Sequence, residues 1–278
     1  ISYNDLLTHY STLEKDLKVH GDKDNLEQIP DGEYKNPLPF TKAEEAFKSI
    51  IKQHLNYPVI ISRGFAPHKP QHEHDWSPSS SPGSSLKQAL ETGNVQILSN
   101  HIAERIITSK NKSLAEGIMV INTKDGSRHK LKAKLIVVCA STLQTNRLLL
   151  NSQDNFSEDG FIEPSGTLGK YIMDHISLCR FFTFKSNKRN KSDDLSEKNK
   201  LLSGAGSLFI PFGNKFYDND EVDFIRGYGI WGGIDRFNLP KWIKLLNKSS
   251  IGFLIGHGEV LPSERNKVTL SSKTDKWG

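Results

Sequence analysis

The sequence offers three places where residue type and spacing bear on chemistry. Asp174-His175 sets a carboxylate beside an imidazole, the side chain whose charge changes nearest neutral pH. Such a pair can sit against a ligand, and it can equally fix the entrance of a strand. Ala140-Ser141 closes the apolar run Leu135-Ile136-Val137-Val138-Cys139 and precedes a helical pattern. Small residues at a strand-to-helix turn let a bound group approach the backbone closely. His68, His72 and His74 stand within seven residues and have the ligand atoms of a metal site. Pro70 breaks any helix that would align them, and no paired ligand cluster stands elsewhere. The expectation is therefore a His-rich cover over an active site, with no metal. Cys139 and Cys179 show neither metal spacing nor a disulfide framework.

These residues need elements to position them. Ser2–Val19 carries apolar residues at helical spacing, with Ser2 as cap and Asp5 in the first turn. Thr41 opens a second helix with Ala46, Phe47, Ile50, Ile51 and Leu55 along one side, and Tyr57–Ser62 reads as a short strand. From Gly64 to Ser85 the pattern is lost among Pro67, Pro70, Pro78 and Pro82, which predicts a long loop. Leu86–Thr92 is a short helix ended by Gly93. Strands are predicted at Val95–Ser99, Ile102–Thr108 and Ile118–Asn122, followed by a polar strand through Leu131. Ile136–Ala140 is expected to be a central strand buried on both faces, followed by a helix over Leu143–Leu150. Beyond Gly166, strands are expected at Tyr171–Phe184, Ser207–Pro211, Asp223–Trp231, Ser250–Ile255 and Lys267–Leu270, with one helix near Pro240–Leu246.

Composition narrows the class. Of 278 residues, 36% are hydrophobic and 25% charged, which is ordinary for a soluble protein large enough to hold one or two cores. No apolar run approaches the roughly 20 residues that span a bilayer. The net charge of +5 is modest. Lys185–Lys200 mixes both signs and carries no aromatic residues among its basic ones, so it reads as a mobile surface insertion and not as a nucleic-acid surface. No initiator Met precedes Ile1, and the chain reads as an internal stretch of a longer protein.

The order of segments from Gly93 onward resembles the glucose–methanol–choline (GMC) oxidoreductases. In that family an Asn-Val-x-Ile/Leu strand and an Ala-x-Val-x-x-Ile strand precede a Gly-Val strand, and a Val-Val-Leu-Ala-rich strand and turn lead into a helix. Here they stand as Asn94–Ile97, His101–Ile107, Gly117-Ile118 and Val137–Leu150. Ser141 takes a place where Gly is usual. Gly169-Lys170-Tyr171-Ile172-Met173-Asp174-His175 is similar to the family's Gly-x-Asn-Leu-x-Asp-His, with Tyr171 for Asn. Glu259–Leu270 resembles the Pro-x-Ser-x-Gly-x-Val-x-Leu that leads into the family's C-terminal section.

The resemblance implies an α+β fold, with part of an FAD-binding α/β (Rossmann-like) domain and a substrate domain on a mainly antiparallel sheet. The expected division is 1–83 for substrate-side helices and cover loop, 84–178 for the FAD-binding part and 179–278 for the substrate-binding part. It implies FAD as cofactor. Ala103 matches the position whose main chain meets the adenine, Ala140 and Ser141 lie at the nucleotide, and Asp174 and His175 lie near the flavin ring. The Gly-x-Gly-x-x-Gly loop that seats the pyrophosphate, and the His, paired with a His or Asn, that takes the alcohol proton, are both expected outside this chain, the latter after Gly278. No catalytic residue is assigned within it, and the isolated stretch is expected to be inactive. The substrate would be a small alcohol, polyol or sugar, with an unspecified electron acceptor, no nucleic acid partner and no transmembrane segment in this chain. A soluble protein is expected, with cytoplasm and periplasm both open. The competing reading is a non-catalytic ligand-binding module on a degenerate flavoprotein fold.

Overall fold

The structure is a computed structural model, and it describes residues 1–26, 29–155, 158–185, 206–212, 228–236 and 249–277. The insertion expected at 186–200, the helix expected near 240–246 and the first part of the strand expected from 223 lie outside the described residues. The chain is α+β and divides into two compact units, Ile1–Val95 with His175–Glu259, and Gln96–Asp174 with Val260–Gly278.

The first unit is a five-stranded sheet with helices. It contains α1 (Tyr3–Asp16), α2 (Lys42–Leu55), β1 (Ile60–Ile61), a 3-10 turn (Ser81–Gly83), α3 (Ser85–Glu91), β5 (His175–Phe184), β6 (Leu208–Phe212), β7 (Tyr228–Ile234) and β8 (Ser250–Glu259). The sheet order is β1-β6-β7-β8-β5, antiparallel throughout. Alternate residues of its strands face α2, as the period of two requires. Leu208, Ile210 and Ile234 are buried with Ala43 and Val59, and Phe47, Ile51, Phe182 and Leu254 pack on them. The stripe that α2 presents is thus Ala43, Phe47 and Ile51, at four-residue steps. Ile50 and Leu55, expected on that side, are exposed because the sheet meets the helix one step around.

A buried carboxylate fixes this packing. Thr41 caps α2, and its N–H donates to Glu44 Oε2 at 2.8 Å. Glu44 is fully buried, takes Ile234 N–H on Oε1 at 3.0 Å, and receives Arg236 Nε on Oε1 and Nη2 on Oε2, both at 2.7 Å. One side chain therefore satisfies the start of α2, the end of β7 and a guanidinium in a two-point pairing.

The second unit holds β2 (His101–Thr108), β3 (Ala115–Asn122), β4 (Arg128–Lys132) and α4 (Ser141–Asn151). The three strands form an antiparallel sheet in sequence order, and α4 packs on β2. Its buried residues include Ile106, Ile107, Val120, Ile121 and Leu148.

Several expectations need correction. Ile136–Ala140 is not a central buried strand: the segment pairs with no strand among the described residues, and Val137 is 74% exposed. An apolar run shows that a surface is fit for burial, but a central strand needs a neighbour on each side, and the sheet of this unit ends at β4. Val95–Ser99 is likewise exposed, and not a strand. Lys267–Leu270 forms no regular ladder and is held instead by single hydrogen bonds, described below. The spacing Gly-x-Gly-x-x-Gly does occur in this chain, at Gly227-Tyr228-Gly229-Ile230-Trp231-Gly232. Gly229 and Gly232 lie inside β7 between β6 and β8, so they belong to a strand and not to a phosphate loop at a helix start.

Candidate functional site

Helix α4 organises the second unit through its side chains. Its apolar anchor is Leu148, buried on the β2 side. Four residues on, the fully buried Ser152 donates to Leu148 O at 2.5 Å and accepts Ile106 N–H at 2.8 Å, tying the end of α4 to β2. Arg147 is steadied by Gln144, to whose Oε1 its Nε donates at 2.7 Å, and its Nη2 reaches Ala103 O at 3.2 Å. Asn146 donates to Thr142 O at 2.9 Å and accepts Gly169 N–H at 3.0 Å. Polar side chains on one helix thus hold backbone groups of β2 and of the 169 loop.

Ala103 lies where β2 bulges. It pairs with Val120 and Arg105 with Met119, so Glu104 is the extra residue, and Glu104 accepts from Arg128 of β4 at 3.0 Å. A bulge interrupts the ladder and re-aims the chain beside it. Further along β2, Arg105 pairs with Asp159, and Thr108 N–H donates to Asp159 O at 2.9 Å.

Ala140 and Ser141 are exposed at the start of α4, and Ala140 makes no side-chain cap bond to the first turn. Ser141 has φ +66°, the left-handed region that the usual Gly of this position tolerates more readily. Gly169 has φ +79°, and a Cβ built there would stand 2.5 Å from Val268 O. That close approach carries a backbone pairing, because Val268 N–H donates to Gly169 O at 2.7 Å. Ile172 N–H donates to Asn266 O at 2.9 Å and Val260 N–H to Asp174 O at 3.2 Å, so the 260–268 segment runs along 169–174. Lys170 Nζ donates to Glu264 Oε1 at 2.7 Å in the same place. That hydrogen bond and the lysine's charge hold the Glu264 carboxyl below its ordinary range.

His175 opens β5 opposite Glu259 and belongs to the first unit, whereas Asp174 closes its stretch of the second. The His175 ring meets His257 edge-on at 6.2 Å, and His257 Nδ1 is 2.9 Å from Ser177 Oγ. In the 64–85 loop, His68 Nε2 donates to Asp75 O at 2.9 Å, while the His72 ring lies 3.0 Å from Glu73 O. These histidines turn to separate local partners, and among the described residues no three His, Cys, Asp or Glu side chains gather around a metal-sized space.

Ala103, Ala140, Ser141 and Asp174 thus fall in one unit, the first three on elements joined by α4, and His175 falls in the other. Sequence reading missed Asn146, Arg147 and Ser152. A usable signal was present: a polar Asn inside a helix and a Ser after Leu148-Leu149-Leu150-Asn151 compete with the helix for backbone bonds unless they hold other backbone.

Small, exposed side chains at an uncapped helix start leave backbone donors accessible.

Residues 62–176 of this chain match the GMC oxidoreductase family model. A curated relative, 2-methyl-1,2-propanediol dehydrogenase from Mycolicibacterium austroafricanum, is 36% identical over 129 residues. That stretch is 46% of this chain and 21% of the relative, so the chain corresponds to a minor part of the relative's length. No helix among the described residues is long and apolar enough to cross a membrane.

Proposed function

We propose that the whole protein is an FAD-dependent dehydrogenase or oxidase acting on the CH–OH group of a small alcohol, with vicinal diols the first class to try and sugars or polyols next. The carrying observation is that the family match, 62–176, spans all five residues read as cofactor contacts, Ala103, Ala140, Ser141, Asp174 and His175. The relative's printed substrate, a compact branched diol, supports the choice of substrate class.

FAD, when bound, supplies a hydride acceptor at flavin N5. This chain's own residues bind and orient. The Ala103 main chain borders the adenine, and the exposed start of α4 at Ala140-Ser141 borders the rest of the nucleotide. Asp174 and His175 act by position and charge beside the flavin ring. Proton removal from the alcohol is assigned to no residue among these 278.

The test is ligand-dependent stability of the full-length protein. A ligand bound by the native state alone raises the melting temperature with its concentration. FAD and ADP should both raise it, FAD by more, whereas NAD should not. A folded full-length protein whose melting temperature ignores FAD would favour a non-catalytic module.

A further inference from the structure

We propose that Asn146 and Arg147 are positioning residues for the cofactor, with Arg147 setting the adenine edge and Asn146 setting the flavin-side loop; this rests on the FAD reading above. Neighbouring residues on a helix point about 100° apart, so one turn of α4 addresses two strands of chain at once. Arg147 Nη2 holds Ala103 O at 3.2 Å, and Asn146 Oδ1 holds Gly169 N–H at 3.0 Å. Both targets lie where regular pairing gives way. Ala103 borders the bulge at Glu104, and Gly169 sits at φ +79° ahead of Tyr171 at φ +58°. At such places the ladder is interrupted next to the residue, and an outside hydrogen bond helps to set the backbone's direction.

The two grips are independent of what fastens α4. Leu148 and the Ser152 bond to Ile106 N–H anchor the helix on β2 beyond them. Loss of Arg147 or Asn146 therefore removes one hold on its backbone segment without detaching the helix. Gln144 holds the guanidinium at 2.7 Å, so Arg147 arrives with its geometry set and a conservative cation should recover part of its effect.

Flavin-depleted full-length protein is titrated with FAD, ADP and FMN, alongside melting temperatures. For Arg147→Leu, affinity for FAD and for ADP should fall by the same factor, about tenfold for one lost charge-assisted hydrogen bond, with FMN affinity unchanged. Arg147→Lys should recover most of that loss. For Asn146→Ala, ADP affinity should hold while the visible spectrum of bound flavin shifts. If Arg147→Leu does not fold, Gln144→Ala leaves the guanidinium unsteadied and should show the same contrast at smaller amplitude. Equal loss for ADP and FMN, or no loss for any ligand, in Arg147→Leu protein of normal stability overturns the proposal, as does an unshifted flavin spectrum in Asn146→Ala. Wild-type protein that takes up neither FAD nor ADP instead removes the cofactor reading, and the positioning role with it.

Discussion

Ser141 and Tyr171 hold the same left-handed backbone conformation, at φ +66° and +58°, although neither is a glycine or an asparagine. Both are positions where the chain departs from the residue usual in sequences it resembles. The side chain bears the cost of that conformation, which for such residues is about 1–2 kcal/mol. Ser141→Gly should therefore stabilise the protein, by less than about 1 kcal/mol once the greater freedom of glycine in the unfolded chain is subtracted. Denaturant midpoints of wild type and variant measure it, and a lower midpoint for Ser141→Gly would show that the Ser hydroxyl or Cβ holds the turn by other means.

Glu44 is the most connected buried carboxylate described. It joins Thr41, Ile234 and Arg236 with no exposure to solvent. Glu44→Gln keeps the shape but leaves the guanidinium without its counter-charge, and breaking one side of a buried pair costs about 3–5 kcal/mol. Chemical denaturation should show a loss near the lower bound for Gln and a larger one for Ala. A change below about 1 kcal/mol would mean that the pair is held in a wetter setting than its burial implies.

The Lys170–Glu264 pair gives a pH signature. The hydrogen bond from Lys170 Nζ, and then its charge, lower the Glu264 carboxyl from its ordinary 4.5. A depressed acid contributes stability that is complete above its unfolded value and lost as pH falls through the folded value, so the window lies below 4.5. The hydrogen bond to Glu264 likewise raises Lys170 above 10.5, so the alkaline loss lies above that value. Both groups are solvent-screened and the effect is small. Melting temperatures of wild type and Glu264→Gln should differ near neutral pH, converge in acid, and approach each other in high salt. A difference that persists unchanged in acid would assign the effect to packing.

His175→Ala in full-length protein should slow flavin reduction by substrate, or shift the flavin spectrum, by more than it lowers the melting temperature. The histidine starts β5 and rests its ring edge-on against His257. A variant with FAD fully bound and reduction unchanged would remove His175 from the site.

Much of the first unit was legible because its signals are local. Ser2 with Asp5 and Thr41 with Glu44 mark helix starts through bonds made within four residues. The strands at β2, β3 and β8 follow β-rich apolar patterns. Ile136–Ala140 was misread because an apolar run carries no information about which strands will flank it. The grips of Arg147, Asn146 and Ser152 were hidden for a related reason. Each bonds a backbone group 23 to 46 residues away, and no periodicity reports such a partner.

The account turns on whether the whole protein passes hydride from an alcohol to a flavin. Anaerobic mixing of full-length protein with a compact vicinal diol, followed through the flavin's visible absorption, tests this directly. The expected result is that the protein carries FAD and that its absorption bleaches on addition of the diol and returns with an electron acceptor. A folded full-length protein that binds no FAD, or one whose bound flavin stays oxidised with every diol, polyol and sugar tried, would contradict it.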